Sequence, residues 1–124
     1  MSRVRVPMRE QPVSERVRNF EEVPLGYSSD EAVKEANRCL QCENSPCIDH
    51  CPVMVDVKKF VKEIAEKRFL DAYKTLKESN PIPSIAGRVC PQENQCEGAC
   101  TLDRIGNPIN IGKLESFIGD WAIQ

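Results

Sequence analysis

The sequence predicts an all-α fold in which short amphipathic helices are separated by two cysteine-rich loops. Three observations lead there. Apolar residues recur at helical spacing in four separate segments. No neighbouring runs alternate as a strand pair would, so no sheet is expected. The seven cysteines fall into two blocks, each in a gap between helical segments.

The elements follow in order. The first twenty residues are rich in arginine (Arg3, Arg5, Arg9, Arg16, Arg18) and contain Pro7 and Pro12. They read as an extended arm, either solvated or docked against another domain, leading to a short helix over 14–20. Residues 21–26 read as a linker. An arm, short helix and linker over 1–27 thus precede a domain over 28–124. Ser28 and Glu31 have capping-box spacing and open a helix. Its apolar face is Ala32, Ala36, Cys39 and Leu40, which points Cys39 inward at the helix end. Residues 41–52 form a cysteine loop punctuated by Pro46 and Pro52. Val57, Phe60, Val61, Ile64 and Ala65 then mark a helix with Asp56 as its N-cap. Phe69, Ala72, Tyr73 and Leu76 mark the next, and Asn80-Pro81-Ile82-Pro83 ends it. Ser84 is expected to cap a helical turn running to Val89. A second cysteine loop spans 90–100, and 101–108 reads as irregular. The last helix starts near Asn110, with Leu114, Phe117, Ile118 and Trp121 on one face.

Composition excludes several classes of function. With 124 residues the chain has room for one small domain and a modest core. A net charge of -2 argues against a dedicated nucleic-acid binder. No apolar run approaches the roughly 18–20 residues of a membrane span. The start, MSRVRVP, lacks the apolar stretch of a secretory signal, so a cytoplasmic location is expected. In that compartment an odd cysteine count favours metal binding over a disulfide scaffold. There is no GxGxxG, no Walker loop and no GxSxG, and His50 is the single histidine. The domain by itself is therefore expected to carry no substrate, flavin or nucleotide site.

The cysteine spacing is the informative signal. Block one is Cys39-x2-Cys42-x4-Cys47-x3-Cys51-Pro52, and block two is Cys90-Pro91-x4-Cys96-x3-Cys100. A thiolate-only set selects soft centres, either zinc or iron–sulfur clusters. Zinc sites usually place a dozen or more residues between two cysteine pairs. Block one instead resembles the bacterial ferredoxin run C-x2-C-x2-C-x3-C-P, in which the fourth cysteine serves the other cluster. On that logic Cys39, Cys42 and Cys47 hold one cluster and Cys51 turns to a second. Cys96 and Cys100 share a helical face and either join one cluster or straddle two. Two fully ligated [4Fe–4S] clusters need about eight donors, one more than the cysteines supply. Either one iron is open or a non-cysteine residue completes the set, the candidates being His50, beside Cys51, and the carboxylates. Glu115 has apolar neighbours Ile111, Ile118 and Ala122, and burying it is costly unless it is paired or ligates a metal. The alternatives are that Glu115 reaches solvent at the stripe edge and that His50 is an ordinary loop residue. Arg38 and Arg88, close to ligand cysteines, either offset cluster charge or are plain surface arginines.

Four stretches carry a family resemblance: Glu35-Ala36-Asn37-Arg38-Cys39-Leu40-Gln41-Cys42, Gly87-Arg88-Val89-Cys90-Pro91, Cys96-Glu97-Gly98-Ala99-Cys100 and Ile109-Asn110-Ile111-Gly112-Lys113-Leu114-Glu115. Together they resemble the N-terminal domain of the glutamate synthase small (beta) subunit. That domain is shared with the large subunit of NADH-dependent ferredoxin:NADP oxidoreductase and with dihydropyrimidine dehydrogenase. Gln41 and the x4 gap before Cys47 depart from simple ferredoxins and agree with this family. The resemblance covers the chain from about Pro12 onward. It implies an α-helical ferredoxin-like domain with two [4Fe–4S] clusters. Cys39, Cys42, Cys47 and Cys100 match the ligands of one. Cys51, Cys90 and Cys96 match three ligands of the other, with Glu115 at the position of its oxygen donor. The resemblance also implies downstream domains for FAD and NAD(P)H, which this chain does not contain. Their job with the clusters would be relaying single electrons to a partner redox centre, such as a glutamate synthase large subunit or a ferredoxin-reducing subunit. No nucleic-acid or membrane partner is expected. The competing reading is a zinc-binding structural or interaction module. A thiol redox sensor fits less well, because the cysteines are too many and too regularly grouped.

Overall fold

The computed structural model describes residues 5–123, so the part of the predicted arm before Arg5 lies outside the described residues. Two short strands, β1 (Arg9–Glu10) and β2 (Pro24–Gly26), flank helix α1 (Val13–Arg16). There follow α2 (Ser29–Ala36), α3 (Pro46–Asp49), α4 (Val57–Ala65), α5 (Phe69–Lys77), α6 (Pro83–Val89), α7 (Cys96–Ala99) and α8 (Ile111–Ile123). Two 3-10 turns, Gln92–Asn94 and Thr101–Ile105, complete the second cysteine region, the latter in the stretch expected to be irregular. The fold is mostly α, as the apolar periodicity requires. Among the described residues no helix is long and apolar enough to cross a membrane.

The capping box works as written: Glu31 N–H donates to Ser28 Oγ, and Ser28 N–H donates to Glu31 Oε1 at 2.9 Å. Asp56 likewise accepts from Lys59 N–H and starts α4. The face of α4 buries Phe60, Val61 and Ile64 completely, against Ala72 and Leu76 of α5 and Leu114 and Ile118 of α8. Phe69 meets Phe117 edge-on with ring centroids 5.4 Å apart, and Trp121 at 5.8 Å.

Four expectations need correction. There is a strand pair: β1 and β2 form an antiparallel ribbon. Strands of two and three residues are too short to show alternation. Helix α1 covers four residues instead of 14–20, because the chain must reverse to bring β2 back to β1. Asn19 ties the reversal, its Nδ2 donating to Glu15 O and Gln11 Oε1. Ser84 is not a cap: α6 begins at Pro83 with Ile82 before it, and Ser84 sits beneath Gly119 of α8. Leu40 is exposed, since α2 ends at Ala36 and the chain has left the helical face before residue 40. The arm is packed on the helices, with Val6 and Tyr27 buried in the core cluster.

Candidate metal centre

The thiols gather in two places. Cys39 lies three residues past α2 and Cys47 lies within α3, with Cys42 in the loop between. That loop is held in shape by Gln41 and Ser45, both at positive φ (55° and 38°), and by Ser45 Oγ donating to Cys42 O at 2.8 Å. Cys100 ends α7 in an extended conformation. These four thiols line one cavity, walled by Val57 and Val61 of α4 and by Ile109 and Ile111 at the start of α8. Donors face the sulfurs there. Gln41 Nε2 donates to Cys39 Sγ at 3.5 Å, and Ile109 N–H donates to Cys100 Sγ at 3.5 Å. Cys42 Sγ and Thr101 Oγ1 lie 3.3 Å apart. Burial pushes the Cys47 thiol up to about 12, and the neighbouring Cys39 and Cys100 push it the same way. Cys39 is raised by burial first, then by Cys100 and Cys42.

The other donors gather around the α6–α8 contact. Cys51 follows α3, Cys90 ends α6, Cys96 begins α7, and Glu115 lies in the second turn of α8. Glu115 is buried, at 9% exposure, among the apolar neighbours that made it a candidate. Burial raises its carboxyl to about 7, and a hydrogen bond from Asn80 pulls the other way. Cys90 is raised by burial, then by Glu115 and Cys51. Cys96 is raised by burial, then by Glu97, Glu115 and Cys51. So Cys90 and Cys96 each feel both Cys51 and Glu115, whereas Cys39 feels Cys100 and Cys42, and Cys47 feels Cys39 and Cys100.

His50 takes a different place. It is exposed beyond α3, with Nδ1 2.9 Å from Pro46 O. Arg38 and Arg88 do not act as free counter-charges, because carboxylates meet both. Arg38 is fully buried against Glu35 at 2.7 Å. Arg88 is partly exposed, bonded to Glu22 and, through Nη2, to Asp120 at 2.6 Å. The buried carboxylates Glu35 and Glu97 went unnoticed in the sequence. The available signal was Glu35-x-x-Arg38, an i,i+3 ion-pair spacing leading into the first cysteine. Glu97 accepts from Gly112 N–H at 3.0 Å and from Arg5 Nη2 at 2.7 Å, tying α7 to α8 and the arm.

Among the described residues no three His, Cys, Asp or Glu side chains converge as they would on a single metal ion. A multi-iron cluster makes a different demand, with thiolates set around a core. Four thiols lining a cavity with apolar walls meet it. Burial raises the Cys39 and Cys47 thiols, so these two are protonated while no metal is bound, and a coordinated metal strips such a thiol outright. The donor chemistry, soft sulfur beside apolar side chains, fits an iron–sulfur centre.

Short helices presenting ringed thiolates define an α-helical iron–sulfur domain. Comparison with known proteins agrees. Residues 16–124 match the family described as dihydropyrimidine dehydrogenase domain II, 4Fe-4S cluster, and the chain belongs to that family. It is 38% identical over 105 residues to the NAD-dependent dihydropyrimidine dehydrogenase subunit PreT of Escherichia coli (strain K12), covering 85% of this chain and 26% of the relative. It is 37% identical over 112 residues to the glutamate synthase (NADPH) small chain of Azospirillum brasilense, covering 90% and 23%. The Escherichia coli (strain K12) glutamate synthase small chain is 35% identical over 120 residues, covering 97% and 25%. The chain thus spans about a quarter of the length of the curated relatives it matches. It is an iron–sulfur electron-transfer domain of the kind found in such oxidoreductases.

Proposed function

We propose that this domain carries two [4Fe–4S] clusters and relays single electrons between a flavin and NAD(P)H module and a partner redox centre. Cys39, Cys42, Cys47 and Cys100 are the ligands of one cluster, and Cys51, Cys90, Cys96 and Glu115 those of the other. The observation that carries this is the division of the donors. Four thiols line one cavity, while Cys90 and Cys96 sit in the field of Cys51 and Glu115. When bound, the clusters supply one-electron redox chemistry. The chain's own residues hold the donors, set apolar side chains along the first cavity and direct N–H groups at its sulfurs, and such features tune cluster potentials. The proposal places the flavin and NAD(P)H module outside the quarter of the relatives' length that this chain matches. The names of those relatives, NAD-dependent in one case and NADPH-linked in the others, support its nicotinamide part.

Iron and acid-labile sulfide analysis tests the proposal. About eight of each per chain, with the brown colour of [4Fe–4S] clusters, is the expected result. About two zinc ions per chain and no visible absorption would establish the structural-module reading instead.

A further inference from the structure

Glu35 and Arg38 form the most deeply buried ion pair among the described residues, at 0% and 1% side-chain exposure. Taking two charges out of water is expensive, and an apolar pair of similar volume often serves stability as well. The use of this pair therefore lies in what it holds. Arg38 Nη1 meets Glu35 Oε2 at 2.7 Å. The same guanidinium reaches two backbone carbonyls, Asn107 O at 2.5 Å and Pro108 O at 3.5 Å. The Glu35 carboxylate accepts from Asn110 N–H and from Val6 N–H, both at 2.8 Å. Tyr27 closes the ring, donating to Val6 O at 2.6 Å and accepting from Asn110 Nδ2 at 2.9 Å.

The segment 107–110 is thus gripped at two carbonyls and one N–H. Two further N–H groups lie within it: that of Asn107 donates to Leu102 O at 3.3 Å, and that of Ile109 points at Cys100 Sγ at 3.5 Å. Pro108 C=O and Ile109 N–H are the two ends of a single planar peptide unit, so orienting one orients the other. Arg38 is also covalently next to Cys39, which lines the same cavity as Cys100 and Ile109. We infer that the Glu35–Arg38 pair is a positioning device for the first cluster: it holds the 107–110 strap so that Ile109 N–H hydrogen-bonds Cys100 Sγ, and thereby raises the reduction potential of that cluster. The inference rests on the ligand assignment proposed above.

A hydrogen bond to a ligating sulfur draws off electron density and favours the reduced state. Lysine at position 38 keeps a positive charge but has no planar fork to span Glu35 and two carbonyls together. In the full chain, Arg38→Lys is expected to retain the wild-type iron and sulfide content. One of the two midpoint potentials moves lower in an EPR-monitored titration, and the other stays. Arg68→Lys, in an exposed pair, moves neither. Glu35→Gln separates position from charge. It removes a negative charge, which acting alone would raise the potential, whereas loosening the strap lowers it. A lowered potential supports the inference. Unchanged or raised potentials in both variants, at full iron content, overturn it.

Wild-type protein labelled with nitrogen-15 isoleucine gives a reading that does not depend on either variant folding. Pulsed EPR of its reduced clusters should show two nitrogen-15 couplings, one from Ile48 N–H at Cys47, which stays in Ile109→Leu, and one from Ile109 N–H at Cys100, which disappears. Absence of the Ile109 coupling overturns the inference. Wild-type protein without two four-iron clusters overturns the ligand assignment itself, and the low iron content tells the two failures apart.

Discussion

Glu115, as proposed ligand, would change the chemistry of its donor set. Its carboxyl is buried beside Cys90 and Cys96, whose thiolate forms it disfavours, and burial raises it to about 7. Such a group is unfavourable in this position unless something compensates, and in the proposed function an iron atom would do so. Oxygen is a harder donor than sulfur and favours the ferric state. Glu115→Cys is therefore expected to raise the potential of one cluster and leave the other in place. An EPR-monitored redox titration in which neither potential moves would contradict the ligand role. Much of this was legible in the sequence, because a lone carboxylate on an apolar stripe is conspicuous. Glu35 was not, since its polar partners, Asn110 N–H and Val6 N–H, lie 75 and 29 residues away.

At the scale of elements, α6 and α8 carry Cys90 and Glu115 of the proposed second donor group. Their close approach depends on Gly87, where a Cβ would lie 2.6 Å from both Gly112 O and Ser116 N. Both obstacles are backbone, so the helices would have to separate. Overpacking of this kind costs about 1–3 kcal/mol. Because α6 delivers Cys90 and α8 delivers Glu115, Gly87→Ala should disturb the second cluster's EPR signal and lower the denaturation midpoint. The first cluster's signal should be preserved. Equal disturbance of both signals would mean that the donor sets are not built on separate helix pairs. Helix starts that rest on local side-chain caps, at Ser28 and Asp56, could be read directly. Helix α1 could not, because its end is dictated by the chain reversal that pairs β1 with β2.

For the whole molecule, fully buried apolar side chains come mainly from α2, α4, α5 and α8. The loop over 40–55 is mostly irregular and the stretch 90–110 holds only short helical turns, which reach the core through Val55, Cys96 and Ile109. In the proposed function the clusters would cross-link both stretches, as metals do in other small domains. Stripping the iron is expected to leave a chain with no cooperative thermal transition by circular dichroism. A sharp melt in the metal-free protein would show that the buried ion pair and the helical core suffice.

The sequence by itself determined the helical class and the main helix starts, and its cysteine spacing nominated seven candidate donors, with Glu115 added by the family resemblance. The helices and the cysteine pattern depend on residue type and short-range spacing, which are local properties. The tertiary structure decided which candidate donors share surroundings. It also showed that His50 faces backbone and solvent, and that Arg38 turns inward to Glu35. Cys100 is 53 residues from Cys47, and Cys90 is 39 residues from Cys51. No local rule pairs residues at such separations. Packing does so, when α4 closes on α5 and α8, and α6 closes on α8.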